Sequence, residues 1–121
     1  MKNLAIVFLG GGMGSLARYS VALMMKRLSL DAFPVATLVS NTLSCLVVAL
    51  AMVYLTDQMA LQPAIRLLII TGFCGGFSTF SAFSFETIQL MRDKHVLLAG
   101  ANILLNILVC FGIIFSIVRN T

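Results

Sequence analysis

From Phe33 to Thr56 the chain carries no charged side chain at all. That stretch is long enough to cross a hydrocarbon layer of about 30 Å, which takes about 20 helical residues. It is one of four such stretches, the others running roughly from Leu4 to Met25, Pro63 to Met91 and Val96 to Val118. Lipid gives a backbone no hydrogen-bond partners, so each stretch must close its own bonds as a helix. The connections are short: Lys26 to Ala32, Asp57 to Gln62 and Arg92 to His95. Pro34 and Pro63 stand near helix starts, where a missing N–H costs least.

Composition leaves no soluble alternative. Only 10% of the 121 residues are charged, against about a quarter in a soluble domain. The expected fold is therefore an all-α membrane protein, a single transmembrane domain over residues 1–121. The net charge of +4 is spread along the chain and forms no nucleic-acid patch. Cys45, Cys74 and Cys110 lie in apolar runs without a CxxC pair, which argues for buried thiols over a zinc site. His95 is the sole histidine and has no nucleophile pattern beside it, so no enzyme is expected.

Charge also speaks to topology. Lys2, Arg66 and Arg119 share one side, while Lys26, Arg27, Arg92 and Lys94 share the other, with Arg18 leaning that way. So small a bias barely sets an orientation. Two readings follow: one orientation with a weak signal, or copies inserted both ways. Four helices enclose little interior, which an antiparallel pair of chains would remedy.

The third span holds Gly72, Gly75 and Gly76 and then a run of hydroxyls, Ser78, Thr79, Ser81 and Ser84. Adjacent glycines weaken a helix by about 1 kcal/mol each. A break at membrane depth is tolerated only where it is buried in protein or lines a cavity, and such breaks hold ions on freed carbonyls. The other reading is a small-residue packing face. Phe80 and Phe83 are three apart on one helix face. Their ring edges carry partial positive charge, which suits a small anion, although lipid contact is the plainer use of a Phe pair. Thr37, Asn41 and Ser44 form a polar stripe on the second span, and Asn102, Asn106 and Cys110 one on the fourth. Each stripe serves either as interhelical glue or as the lining of a path. Arg18 lies within an apolar run beyond Gly10-Gly11-Gly12-Met13-Gly14 and reads either as functional or as snorkelling to an interface. Glu86, late in the third span, reads as an interface or vestibule group. No acidic residue stands at the middle of a span, which disfavours a proton-coupled exporter of cations.

Three motifs in order carry a resemblance. Gly10 to Tyr19 resembles the first-helix glycine–arginine motif, Pro34-x-x-Thr37-x-x-x-Asn41 the second-helix pattern, and Gly72 to Ser81 the third-helix signature of the Fluc (CrcB) fluoride channels. That resemblance implies passive fluoride export across a bacterial inner membrane by an antiparallel, dual-topology homodimer. It implies a structural sodium ion at the dimer centre, held by the carbonyls of Gly75 and Ser78. It implies a pathway of Phe80, Phe83, Asn41, Thr37, Ser81 and Ser84, with Arg18, Glu86, Asn106 and Cys110 as further candidates. Ala82, where members often carry threonine, and Cys110, where a small hydroxyl residue is expected, depart from the pattern. A small dual-topology exporter of cationic compounds and an assembly subunit with no pathway are the alternatives. A continuous third helix would favour the last of these.

Overall fold

The computed structural model describes residues 1–58 and 63–121, with the side chains of 55–62 set aside. The expected connection from Asp57 to Gln62 thus lies largely outside the described residues. Four helical spans are long and apolar enough to cross a membrane. Helix α1 is Lys2–Arg27 and α2 is Val35–Gln58. The third span, Pro63–Arg92, is divided into α3 (63–77) and α4 (Phe80–Arg92). Helix α5 is Val96–Arg119. Each helix agrees with its apolar stretch to within two residues, because the charged residues at the stretch ends complete the last turns.

Helix α3 is not uniform. Leu67–Cys74 is π-helical, and Gly75–Phe77 returns to α geometry before the chain breaks. The break lies at Ser78 (φ −80°, ψ 155°) and Thr79 (φ −151°, ψ 115°), both extended. It follows closely on the glycine pair: Gly75 and Gly76 are helical and no glycine has positive φ. The glycines serve packing instead. A Cβ on Gly72 would stand 2.9 Å from the Gly10 Cα, and one on Gly14 would stand 2.8 Å from the Phe77 nitrogen. Gly76 is likewise closed off by the Gly11 carbonyl. The backbones of α1 and α3 therefore touch, which in lipid is how helices gain dispersion contact. Break and small-residue packing, weighed as alternatives, both occur in this span.

Helices α2 and α5 pack along much of their length, and α4 turns back onto α5 through a three-residue connection. Lys94 takes the left-handed conformation there (φ 62°) and the His95 N–H donates to the Leu90 carbonyl at 2.8 Å. This tight reversal sets Thr87 of α4 against Asn102 of α5. The buried interior is small and polar: Ser40, Ser44 and Asn102 are the largest wholly buried side chains. Large apolar residues face outward instead, Phe8, Phe111 and Phe115 among them. This inverted distribution suits lipid as the solvent.

Candidate functional site

The break in the third span frees backbone groups, and side chains from other helices take them up. In an unbroken helix the Thr79 N–H would donate to the Gly75 carbonyl. Here it donates to Asn41 Oδ1 on α2 at 2.8 Å. The Ala82 N–H donates to Thr79 Oγ1 at 3.1 Å, so Thr79 caps α4. On the other side, the Cys74 carbonyl ends α3 by accepting from the Ser78 N–H (2.9 Å), the Ser78 hydroxyl (2.8 Å) and the Ser44 hydroxyl (3.2 Å). The break is thus held by α2, through Asn41 and Ser44.

One consequence concerns the carbonyls of Gly75 and Ser78. Their helical partners, the N–H groups of Thr79 and Ala82, donate elsewhere. Gly75 is exposed, and a Cβ there would meet nothing within 4 Å. Freed carbonyls of this kind are the neutral oxygen donors that unwound membrane helices offer to sodium. Two such oxygens fit what a hard monovalent cation requires.

Asn41 also begins a directed chain of hydrogen bonds. Its amide donates to Asn106 Oδ1 (3.0 Å), Asn106 to Asn102 Oδ1 (3.0 Å), Asn102 to Thr87 Oγ1 (2.9 Å) and Thr87 to the Phe83 carbonyl (2.7 Å). The Asn106 amide also donates to the Asn102 carbonyl at 2.9 Å. Both Asn106 hydrogens are spent inside the protein, whereas the Asn41 amide donates only one among the described residues. This chain fixes both the Asn41 amide and the backbone under Phe83. The rings of Phe80 and Phe83 stand 5.5 Å apart at 47°, and Phe80 is 79% exposed.

Four cavities follow one another through the chain, each sharing lining residues with the next. The first lies by the α1–α2 connection, beside Lys26, Asp31 and Pro34. Glu86 lines it and also the second, of about 260 Å³, which holds Arg18, Tyr19, Thr37, Ser40 and Thr79. Thr79 in turn lines the third, of about 240 Å³, with Asn41, Ser78, Phe80, Phe83 and Asn106. Cys45, Cys110 and Phe111 close the third and open the fourth, about 630 Å³ and apolar, which reaches Phe115 and Arg119. The series begins beside Lys26 at the end of α1 and finishes beside Arg119 at the end of α5. Successive spans alternate in direction, so these are opposite faces of the membrane.

Most of the sequence candidates fall along this series, whereas Ser81, Ser84 and Gly75 line none of the four cavities. Asn41, Phe80, Phe83, Asn106 and Cys110 line the third cavity. Arg18 and Glu86 line the second, and Glu86 the first as well. One Glu86 oxygen accepts from Thr37 Oγ1 at 2.8 Å, and the other is buried with no partner among the described residues. The position between the first two cavities agrees with a vestibule group, and α2 supplies its hydrogen-bond donor. The Thr37 hydrogen is thereby committed to Glu86. Ser81 is exposed, its hydroxyl 3.2 Å from Thr79 Oγ1. Ser84 is half-buried and makes no side-chain hydrogen bond among the described residues. Two residues gained importance only from the fold. Thr79 lines two cavities and caps α4, and Thr87 ends the asparagine chain. The Thr79 spacing to Ala82 as a helix N-cap was readable; nothing in the sequence marked Thr87.

Residues 5–117 match the sequence profile of the family described as CrcB-like protein, Camphor Resistance (CrcB). A protein of Flavobacterium psychrophilum named "Fluoride-specific ion channel FluC" is 42% identical over 107 residues, covering 88% of this chain and 86% of that protein. Proteins of the same name from Serratia proteamaculans (41% over 107 residues, 88% and 84% covered) and Pyrococcus horikoshii (39% over 114 residues, 94% and 91% covered) are similar along almost their whole length.

Proposed function

This chain belongs to the CrcB-like protein family, and on that premise we propose that it is a fluoride-selective channel that lets fluoride leave a bacterial cell through the inner membrane. The observation that carries the reading is the series of neighbouring cavities from Lys26 to Arg119, adjacent ones sharing lining residues, with Asn41, Phe80 and Phe83 midway. A small anion enters beside Lys26 and Arg18, whose positive charge concentrates it. It passes Thr79 and reaches the third cavity, where the second amide hydrogen of Asn41 and the edges of Phe80 and Phe83 replace lost water. Ser81, whose hydroxyl contacts that of Thr79, and Ser84 offer further hydroxyls on the same helix. Fluoride accepts short, strong hydrogen bonds from such donors, and a larger halide fits them less well. No energy source is needed. A membrane potential, negative inside, drives a monovalent anion outward by about 2.3 kcal/mol per 100 mV.

The working unit in this reading is an antiparallel homodimer of two oppositely inserted chains. Three features support it. The loop charges are nearly balanced between the two sides. The Phe80 ring, next to a polar cavity, is left largely uncovered by its own chain. Gly75 presents open backbone at the surface. A sodium ion at that interface would be held by the carbonyls of Gly75 and Ser78 from each chain. When bound it supplies fixed positive charge beside the break and ties the two chains together.

The deciding experiment is fluoride efflux from liposomes loaded with potassium fluoride, read with a fluoride electrode. Fluoride leaves and chloride is retained. Absent fluoride flux, or equal chloride flux, refutes the channel. Replacing all sodium with a large organic cation lowers flux if the ion is structural. Undiminished flux in sodium-free buffer refutes that part alone. The exporter alternative gains nothing from Glu86, which lies near the end of the third span and not at its middle. Family membership is what disfavours it. A subunit without a pathway is disfavoured by the break itself.

A further inference from the structure

We propose that Cys45 and Cys110 form a two-thiol site for a soft divalent cation, Hg2+ being the type case, and that occupying it closes the passage between the third and fourth cavities.

The placement follows from helix register. Helices α2 and α5 are the second and fourth crossings and run in the same direction. Asn41 of α2 meets Asn106 of α5 through a 3.0 Å hydrogen bond. Moving four residues along each helix, about one turn, arrives at Cys45 and Cys110 on the same two facing stripes. Both are free and half-buried. Together with Phe111 they line both the aromatic cavity and the apolar cavity beyond it. An ion can therefore reach them through space already present, and anything fixed between them stands in the passage. Cys74 is 3% exposed and lines neither cavity, so it is not part of the pair.

The chemistry selects the ligand. Sulfur donors favour soft metals, and the thiolate is the binding form. Two S–H bonds break and two S–Hg bonds form; both protons leave to solvent, and no oxidant takes part. A divalent ion with two thiolates is neutral, which the apolar wall of the fourth cavity accommodates. A monovalent soft ion such as Ag+ would leave a net negative charge there at a cost in desolvation. Two-coordinate Hg2+ needs no third ligand, and among the described residues no group of three or more His, Cys, Asp or Glu is assembled.

Binding is independent of the fluoride reading; the effect on flux rests on it. The test titrates HgCl2 into the full chain in detergent, with excess 2-mercaptoethanol as competitor, and follows the near-ultraviolet sulfur-to-mercury absorption. One tightly held ion per chain is expected. Cys45→Ser and Cys110→Ser each weaken it about 100-fold or more, the gain from holding two ligands together. Cys74→Ser does not. Alanine variants replace any serine variant that lacks helical content by circular dichroism. In liposomes, Hg2+ drops fluoride efflux to the protein-free leak, dithiothreitol restores it, and each single variant keeps its own metal-free rate. Equal affinity in the unmodified chain and both single variants overturns the site. Tight binding with undiminished flux overturns the closure. A chain that carries no fluoride before metal is added fails the channel reading instead, and the titration still decides the site.

Discussion

Replacing Asn41 by alanine removes the group that holds the third-span break open. Two buried partners are left behind. The Thr79 N–H, on a residue 8% exposed, loses its acceptor, and Asn106 Oδ1, on a residue 6% exposed, loses its donor from α2. An unsatisfied buried group costs about 1–3 kcal/mol. Interhelical hydrogen bonds in membranes average a smaller ~0.6 kcal/mol, with a maximum near 1.7. The two scales together place the loss at about 1–4 kcal/mol. Unfolding in mixed micelles at increasing fractions of a denaturing detergent measures it. A double-mutant cycle with Asn106→Ala isolates the amide–amide bond, and what remains of the Asn41 cost belongs to the Thr79 cap. Hydrogen exchange at the Thr79 amide reads the same event locally, since an abandoned N–H exchanges faster. The reasoning fails if Asn41→Ala costs less than about 0.5 kcal/mol while the Thr79 amide stays protected. That result would mean Thr79 returns to the Gly75 carbonyl and the helix is continuous by preference.

Phe80→Ile and Phe83→Ile each keep apolar bulk without ring edges, so fluoride efflux falls while the dimer persists on size exclusion; unchanged rates in both remove the aromatic edges from the pathway. Gly76→Ala drives a methyl into the Gly11 carbonyl and destabilises the chain by about 1–3 kcal/mol. Gly75→Ala, where a Cβ meets nothing within 4 Å, leaves single-chain stability unharmed, as micelle unfolding of the pair will show. Thr37→Val strips the Glu86 carboxylate of its 2.8 Å donor and changes fluoride efflux, whereas Glu86→Gln, which keeps an acceptor for Thr37, preserves the second cavity. Identical flux in Thr37→Val and the unmodified chain separates that contact from transport.

Reading the chain as a sequence went furthest where lipid leaves few choices. Apolar length and the backbone's need for internal bonds determined four spans, their short connections and their ends to within two residues. The Phe80–Phe83 pairing also follows from local geometry, because residues three apart on a helix are neighbours. Glycine clusters marked the third span as unusual, and three motifs pointed to the family.

What the tertiary structure decided is where freed polar groups find partners, since those partners lie far away in sequence. Asn41 and Thr79 are 38 residues apart, and their bond, not the glycines, fixes the break at Ser78 and Thr79. Thr37 and Glu86 are 49 apart, so the donor to this vestibule carboxylate comes from another helix. Asn41 and Asn106 are 65 apart, and one turn further along the same helices Cys45 and Cys110 line the same two cavities. Helix formation in lipid depends on neighbours three and four residues away, and a single sequence displays it. The choice among distant donors and acceptors depends on which helices touch, and here backbone contact at Gly10, Gly14, Gly72 and Gly76 brings α1 and α3 together.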